Sequence, residues 1–146
     1  MTAKQSIEEV LELTPKFDAN GLIPAIAQDA KTGQVLMVAY MNKEALDLTI
    51  KTGYATYFSR ARKRLWKKGE ESGHIQKVEQ ILLDCDQDCL VLKVAVNAGQ
   101  CHAGYQSCFY RALKKDSDRE LEFIAEKIYN PKEVYKEQNK DNLPPA

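Results

Sequence analysis

Four cysteines, three aspartates and a histidine crowd into one stretch of this chain, from Asp84 to Cys108. It reads Asp84-Cys85-Asp86-Gln87-Asp88-Cys89, then an apolar run, Leu90–Val96, then Asn-Ala-Gly-Gln-Cys101-His102-Ala-Gly-Tyr-Gln-Ser-Cys108. These are all 4 cysteines of the protein and one of its 2 histidines. Carboxylates at alternate positions suit a hard divalent cation such as Mg²⁺ if a turn or extended chain brings them together. Thiolates suit zinc. The stretch therefore points to a metal site, with two kinds of metal.

Each half has a blander alternative. An acidic cluster between two strands also serves as a solvated hairpin turn. An EF-hand loop is excluded, because its sixth position here is Cys89 rather than Gly and its twelfth is Ala95 rather than Glu. Any single cysteine is often a small buried hydrophobe. Cys85, Cys101 and Cys108, with fifteen and six residues between them, do not form zinc-ribbon knuckles. Three thiolates with an open fourth position make a catalytic zinc site; a fourth ligand from Cys89 would make a closed, structural one. Spacing leaves both open. His102 adjoins Cys101, and neighbouring residues rarely ligate one metal, so an acid/base role is preferred.

A regular strand through Asp84–Asp88 would aim Cys85 away from the three carboxylates. Both sets serve one cleft only if the segment turns, or if its other face meets a second subunit.

Elements must position these groups. Ser6 and the following acidic and apolar residues predict a helix within residues 1–15, ended by Pro15. Leu22–Asp29 and Gln34–Tyr40 read as a hairpin about the turn Ala30–Gly33. Asn42 caps a helix over Lys43–Thr52, and Gly53 closes it. Tyr54–Ser59, Val78–Leu83, Leu90–Val96 and Cys108–Leu113 read as strands; Leu121–Tyr129 fits strand or helix. Pro131–Asn139 reads as a short helix and Asp141–Ala146 as a frayed end. The fold class is α+β, predominantly β, with a mixed or antiparallel sheet and a few short helices.

Between the strands lies a basic, glycine-rich stretch from Arg60 to His74. Its cations Arg60, Arg62, Lys63, Arg64, Lys67 and Lys68, with Trp66, Gly69, Ser72 and Gly73, make an anion-binding loop or a solvated basic loop. It lacks the P-loop spacing. His74 either assists phosphate binding or is solvated.

The 146 residues fit a single domain, with a motif-bearing core over about 22–113 and a charged extension, 114–146. Lys and Arg number 21 and Asp and Glu 21, a formal net charge of zero. That balance argues against nucleic acid as a partner. No membrane-spanning run or signal-peptide pattern is visible, so the expected location is the cytoplasm, where cysteines stay reduced.

These motifs together resemble the phosphoribosyl-AMP cyclohydrolase family. The resemblance rests on Asp84-Cys85-Asp86-Gln87-Asp88, Cys101-His102-Ala-Gly104, Ser107-Cys108-Phe109 and Leu65-Trp66-Lys-Lys68-Gly69-Glu-Glu-Ser72-Gly73. Pro24–Asp29 and Met37–Asn42 add to it, and it is collinear from Leu22 to Leu113. It implies a hydrolase of histidine biosynthesis that opens the adenine ring of 1-(5-phosphoribosyl)-AMP between N1 and C6. It also implies an intertwined homodimer, one Zn²⁺ per subunit on Cys85, Cys101 and Cys108 shared between subunits, and Mg²⁺ on Asp84, Asp86 and Asp88. His102 would move the proton. The basic stretch would bind one substrate phosphate through Arg60, Trp66, Lys68, Gly69, Ser72 and Gly73, with Arg111 a candidate for the other. Four positions depart from the pattern: His74 for Asn, Ala103 for Thr, and Ala95-Val96 for a more polar pair. Residues 114–146 are too short for the phosphoribosyl-ATP-hydrolysing domain that many members carry, which predicts the cyclohydrolase alone. A zinc deaminase lacks support, since its His-x-Glu and Pro-Cys-x-x-Cys motifs are missing. A structural-zinc nucleic-acid module conflicts with the zero net charge.

Overall fold

The computed structural model describes residues 6–135. Its centre is a four-stranded mixed sheet in the order β2-β1-β6-β5. Strands β1 (Ile23–Asp29) and β6 (Leu90–Val96) run parallel in the middle. β2 (Val35–Met41) and β5 (Gln76–Leu83) flank them antiparallel. Residues alternate between the faces of a strand, and Ile23, Ala25 and Ala27 of β1 and Leu90, Leu92 and Val94 of β6 all point into the core.

The expected hairpin between β1 and β2 forms. Asp29 Oδ1 accepts the N–H groups of Lys31 and Thr32 at 2.8 and 3.3 Å, a side-chain turn that reverses the chain. Helix α1 (Lys43–Thr52) also forms where expected. Asn42 Oδ1 accepts the Ala45 N–H at 2.8 Å. Gly53 at φ 79° returns its N–H to the Thr49 carbonyl. Buried Thr49 seats the helix on the next strand, since its hydroxyl donates to the Ala45 carbonyl and accepts the Thr56 N–H at 3.0 Å.

That strand is β3 (Thr56–Ser59), paired with β4 (Arg64–Lys67). The basic stretch is thus part strand, not wholly loop. Leu65 and Trp66 supply the reason: Trp66 packs into the core against Tyr57, with ring centroids 5.2 Å apart, and the cations point outward on either side.

Other expectations are corrected. Within residues 6–15 there is one turn, with the Glu9 N–H on the Ser6 carbonyl, and no helix. Leu11 is fully exposed. Gln87 draws the segment out instead: its side-chain oxygen accepts the Thr14 N–H at 2.7 Å, its amide donates to the Glu12 carbonyl, and its own carbonyl accepts the Lys16 N–H. The strand predicted from Cys108 begins only at Arg111. It is β7 (Arg111–Leu113), paired with β8 (Leu121–Phe123). The latter decides for strand where the pattern fitted either. Helix α2 spans Pro131–Tyr135, capped by the Asn130 side chain on the Lys132 N–H. The rest of that predicted helix and Asp141–Ala146 lie outside the described residues. Among the described residues, no helix is long and apolar enough to cross a membrane.

Candidate active site

The acidic motif is the turn between β5 and β6. Asp84 organises it. Its Oδ1 accepts the N–H groups of Asp88 and Cys89 at 2.9 and 3.1 Å, and Gln87 sits at φ 58° with its N–H on the Asp84 carbonyl. The turn brings Asp84, Asp86 and Asp88 together, with one oxygen of each within 4.8 Å of the others. Among the described residues this is the one such group of three or more potential ligands. Asp88 is pushed up to about 6 by hydrogen bonds to Asp84 and Asp86 and by their charges. For Asp84, desolvation pushes upward but is outweighed by hydrogen bonds from Asp88 and from the backbone of Asp88 and Cys89, and the net shift is downward. Like charges held this close share a proton or a cation. An all-oxygen, convergent donor set fits Mg²⁺.

The thiols divide. Cys101 and Cys108 lie within reach of one another. The neighbouring Cys108 thiol, with the Ala103 N–H 3.4 Å from Cys101 Sγ, brings Cys101 down to about 6 against the pull of burial. Cys108 shifts far upward, as the partner that keeps its proton. Two of the cysteines already share a site, which is half of a zinc-binding set. The loop is tied down on both sides. The Cys108 N–H donates to the Leu36 carbonyl at 2.7 Å, and the Ser107 hydroxyl donates to that of Val35. Gly104 turns at φ 100°, where a Cβ would stand 2.5 Å from the Tyr129 carbonyl. The Tyr129 hydroxyl donates to the Cys101 carbonyl.

Cys85 and Cys89 lie elsewhere. Both belong to the acidic turn, where Leu83 pairs with Leu90. The loop carrying Cys101 begins at the opposite end of the same two strands, where Gln76 pairs with Val96 and the Gln76 side chain holds that of Gln100. Seven residues of β6 separate the two ends, about 20 Å. Within one chain, neither a closed four-thiolate site nor the three-cysteine set forms. Cys85 is exposed.

His102 is exposed beside Cys101. His74 is half-buried rather than a freely solvated loop side chain. It packs edge-on against Tyr129, ring centroids 4.8 Å apart. Burial and the charge of Lys68 lower its pKa, against a hydrogen bond to the Gly99 backbone.

Of the six residues expected at substrate, Trp66, Lys68, Gly69 and Ser72 line one crevice with Arg62 and Arg64. Arg60 lies in an adjoining crevice that shares Ser59 and Trp66, with its guanidinium 4.0 Å over the Tyr40 ring. Gly73 is not among the lining residues of either. Trp66 and Lys68 are almost wholly buried, so neither presents a free side chain to an anion in solution.

Sequence reasoning missed a polar chain inside the core. Tyr57 donates to Gln76 Oε1. The Gln76 amide then donates to Gln100 Oε1 at 2.9 Å and to Met37 Sδ at 3.2 Å. Gln100 in turn donates to the Ala98 carbonyl at 2.7 Å. No local signal marked it, because Gln76 opens β5 beside Lys77, with Glu79 and Gln80 further along the strand.

Comparison with known proteins fits this layout. The phosphoribosyl-AMP cyclohydrolase family model matches residues 37–110, from β2 through the thiol pair. A protein of Methanococcoides burtonii named phosphoribosyl-AMP cyclohydrolase is 56% identical over 122 residues, 84% of this chain and 96% of its own. The chain belongs to the phosphoribosyl-AMP cyclohydrolase family. Relatives of the same name from Rhodopseudomonas palustris strain TIE-1 and Prosthecochloris aestuarii are 55% identical over 137 residues and 48% identical over 139. They cover 91% and 95% of this chain, and 91% and 100% of their own length. The chain is therefore an enzyme, a hydrolase of the cyclohydrolase family.

Proposed function

We propose that this enzyme opens the adenine ring of 1-(5-phosphoribosyl)-AMP at the N1–C6 bond. The product is the formimino aminoimidazole carboxamide ribonucleotide of histidine biosynthesis, made in the cytoplasm. Zinc would be held by Cys101 and Cys108 of one protomer and Cys85 of the partner subunit, and Mg²⁺ by Asp84, Asp86 and Asp88. The observation that carries the reading is the half-assembled thiol pair. Cys101 and Cys108 meet, while the remaining cysteines sit a strand's length away on an exposed turn. A homodimer that brings that turn to the pair of another copy completes the site.

Bound zinc supplies Lewis acidity that activates a water near neutral pH. The protein's own groups do the rest. The positive charge of an N1-alkylated adenine makes C6 the electrophile. His102, exposed next to Cys101, takes the proton released as water adds to C6. It returns a proton to N1 as the N1–C6 bond breaks, so one water is consumed and no other reactant is needed. The Arg62–Ser72 crevice and Arg60 offer cations and N–H donors to one substrate phosphate.

The deciding assay follows the absorbance of phosphoribosyl-AMP with enzyme and both metals. No change on addition of enzyme overturns the reading. Cys101→Ser is expected to lose zinc and activity and Cys89→Ser to keep both, while Asp86→Asn weakens activation by Mg²⁺ and leaves zinc bound.

A further inference from the structure

Lys68 is the residue whose placement the phosphate reading does not explain. It directly follows β4 and is 6% exposed, whereas Lys67 beside it is exposed. Its Nζ donates to the Gln100 carbonyl at 3.0 Å. It takes part in neither the Lys43–Asp47 nor the Lys114–Glu120 ion pair. Burial lowers its pKa, and the neighbouring thiols of Cys108 and Cys101 act against that.

A buried ammonium is costly unless something compensates it. One carbonyl is weak compensation. A pair of cysteines is none while both are protonated, and strong once they ionise. The charge balance of the proposed metal site runs the same way. Three thiolates on Zn²⁺ leave one net negative charge in a partly dry site, and one fixed cation beside them cancels it.

The carbonyl that holds Lys68 is itself fixed. Gln100 immediately precedes Cys101, and its backbone N–H donates to the Gln106 carbonyl at 3.1 Å. Its side chain is clamped between Gln76 and the Ala98 carbonyl. The lysine is thus braced against the peptide that leads into the first ligand. An ammonium for catching phosphate from solvent would have no use for such a brace.

We propose that Lys68 is a positioning residue of the metal site, a buried cation that compensates the Cys101 and Cys108 thiolates and so sets zinc affinity rather than substrate affinity. The proposal rests on the zinc reading above. It gives the Tyr57–Gln76–Gln100 chain a purpose, which is to hold the Lys68 acceptor at a fixed distance from the thiols.

The test measures zinc affinity of purified full-length protein by competition with a chromophoric chelator, for wild type, Lys68→Met, Lys68→Gln and Lys68→Arg. Cobalt substitution gives a second readout, the thiolate-to-metal charge-transfer band. Lys68→Met, close in shape and uncharged, is expected to bind zinc about 10–100-fold more weakly. Lys68→Arg is expected to recover most of the loss, with Lys68→Gln behaving as Lys68→Met if the latter misfolds. Unchanged zinc affinity in the neutral variants, with a raised KM, overturns the proposal and makes Lys68 a phosphate ligand. If wild type shows neither tight zinc binding nor the cobalt–thiolate band, the zinc reading itself has failed, a result distinguishable from failure of the lysine's role.

Discussion

Tyr57 donates its phenolic hydrogen to Gln76 Oε1 at 2.6 Å, and neither side chain has any exposure to solvent. Burial raises the Tyr57 pKa, so the group stays a donor throughout the working range. Tyr57→Phe leaves a buried amide oxygen without its partner. We expect a loss of about 1–3 kcal/mol, read as a lower urea midpoint with an unchanged slope. Because Gln76 passes the constraint to Gln100, zinc affinity should fall in the same variant. A stability loss with no effect on zinc would show that the chain serves the core alone.

The acidic turn gives a pH signature. A carboxyl with a folded pKa above its unfolded value binds extra protons in the fold, so its share of stability is full at low pH and declines as pH rises. Asp88, at about 6, makes the metal-free protein lose stability between about pH 4 and 6. Asp84, shifted down, has the opposite sign and contributes stability that is lost only on stronger acidification. Mg²⁺ should therefore raise the melting temperature more at about pH 7 than at about pH 5, where a proton competes for Asp88. Asp88→Asn should remove that difference. A cation effect equal at both pH values would place the binding elsewhere.

Sharing of zinc between protomers can be tested by mixing. Cys85→Ser and Cys101→Ser should each be inactive. Refolded together, they form heterodimers in which one of the two sites has all its ligands, so an equal mixture should regain about a quarter of wild-type activity. No recovery would mean that each chain ligates its own zinc.

Gly69 and Gly73 were read alike from sequence, as small residues that let a backbone approach an anion. The structure separates them. Both have positive φ, at +88° and +78°, but a Cβ on Gly69 would meet the Ile75 nitrogen at 2.6 Å, whereas Gly73 has open space. Gly73→Ala should cost about 1–3 kcal/mol for conformation alone. Gly69→Ala should cost clearly more, by thermal denaturation. Equal costs would indicate that the turn relaxes around position 69.

Much of this was legible in the chain. The apolar runs of β1 and β6, the Asn42 and Gly53 caps and the acidic turn follow from local rules, and the structure repeats them. What stayed hidden depends on long-range partners. Trp66 looked like part of a surface loop because its neighbours are cations; only pairing of β4 with β3 shows that it faces the core. Lys68 looked like one more cation of the run, and nothing local says that its ammonium turns inward. The helix expected near Ser6 fails because Gln87, more than seventy residues on, offers the backbone a better set of partners. For the cysteines, spacing could say which residues are candidate ligands but not which of them meet.

That grip of Gln87 on residues 12–16 has a practical side. The turn presenting Asp84, Asp86, Asp88 and Cys85 is stitched to the N-terminal segment through one side chain and one carbonyl. An affinity tag or fusion partner joined at the N-terminus pulls on those same stitches. Magnesium response is then the property to compare between tagged and untagged protein, because the leash reaches the cation turn before it reaches the thiols.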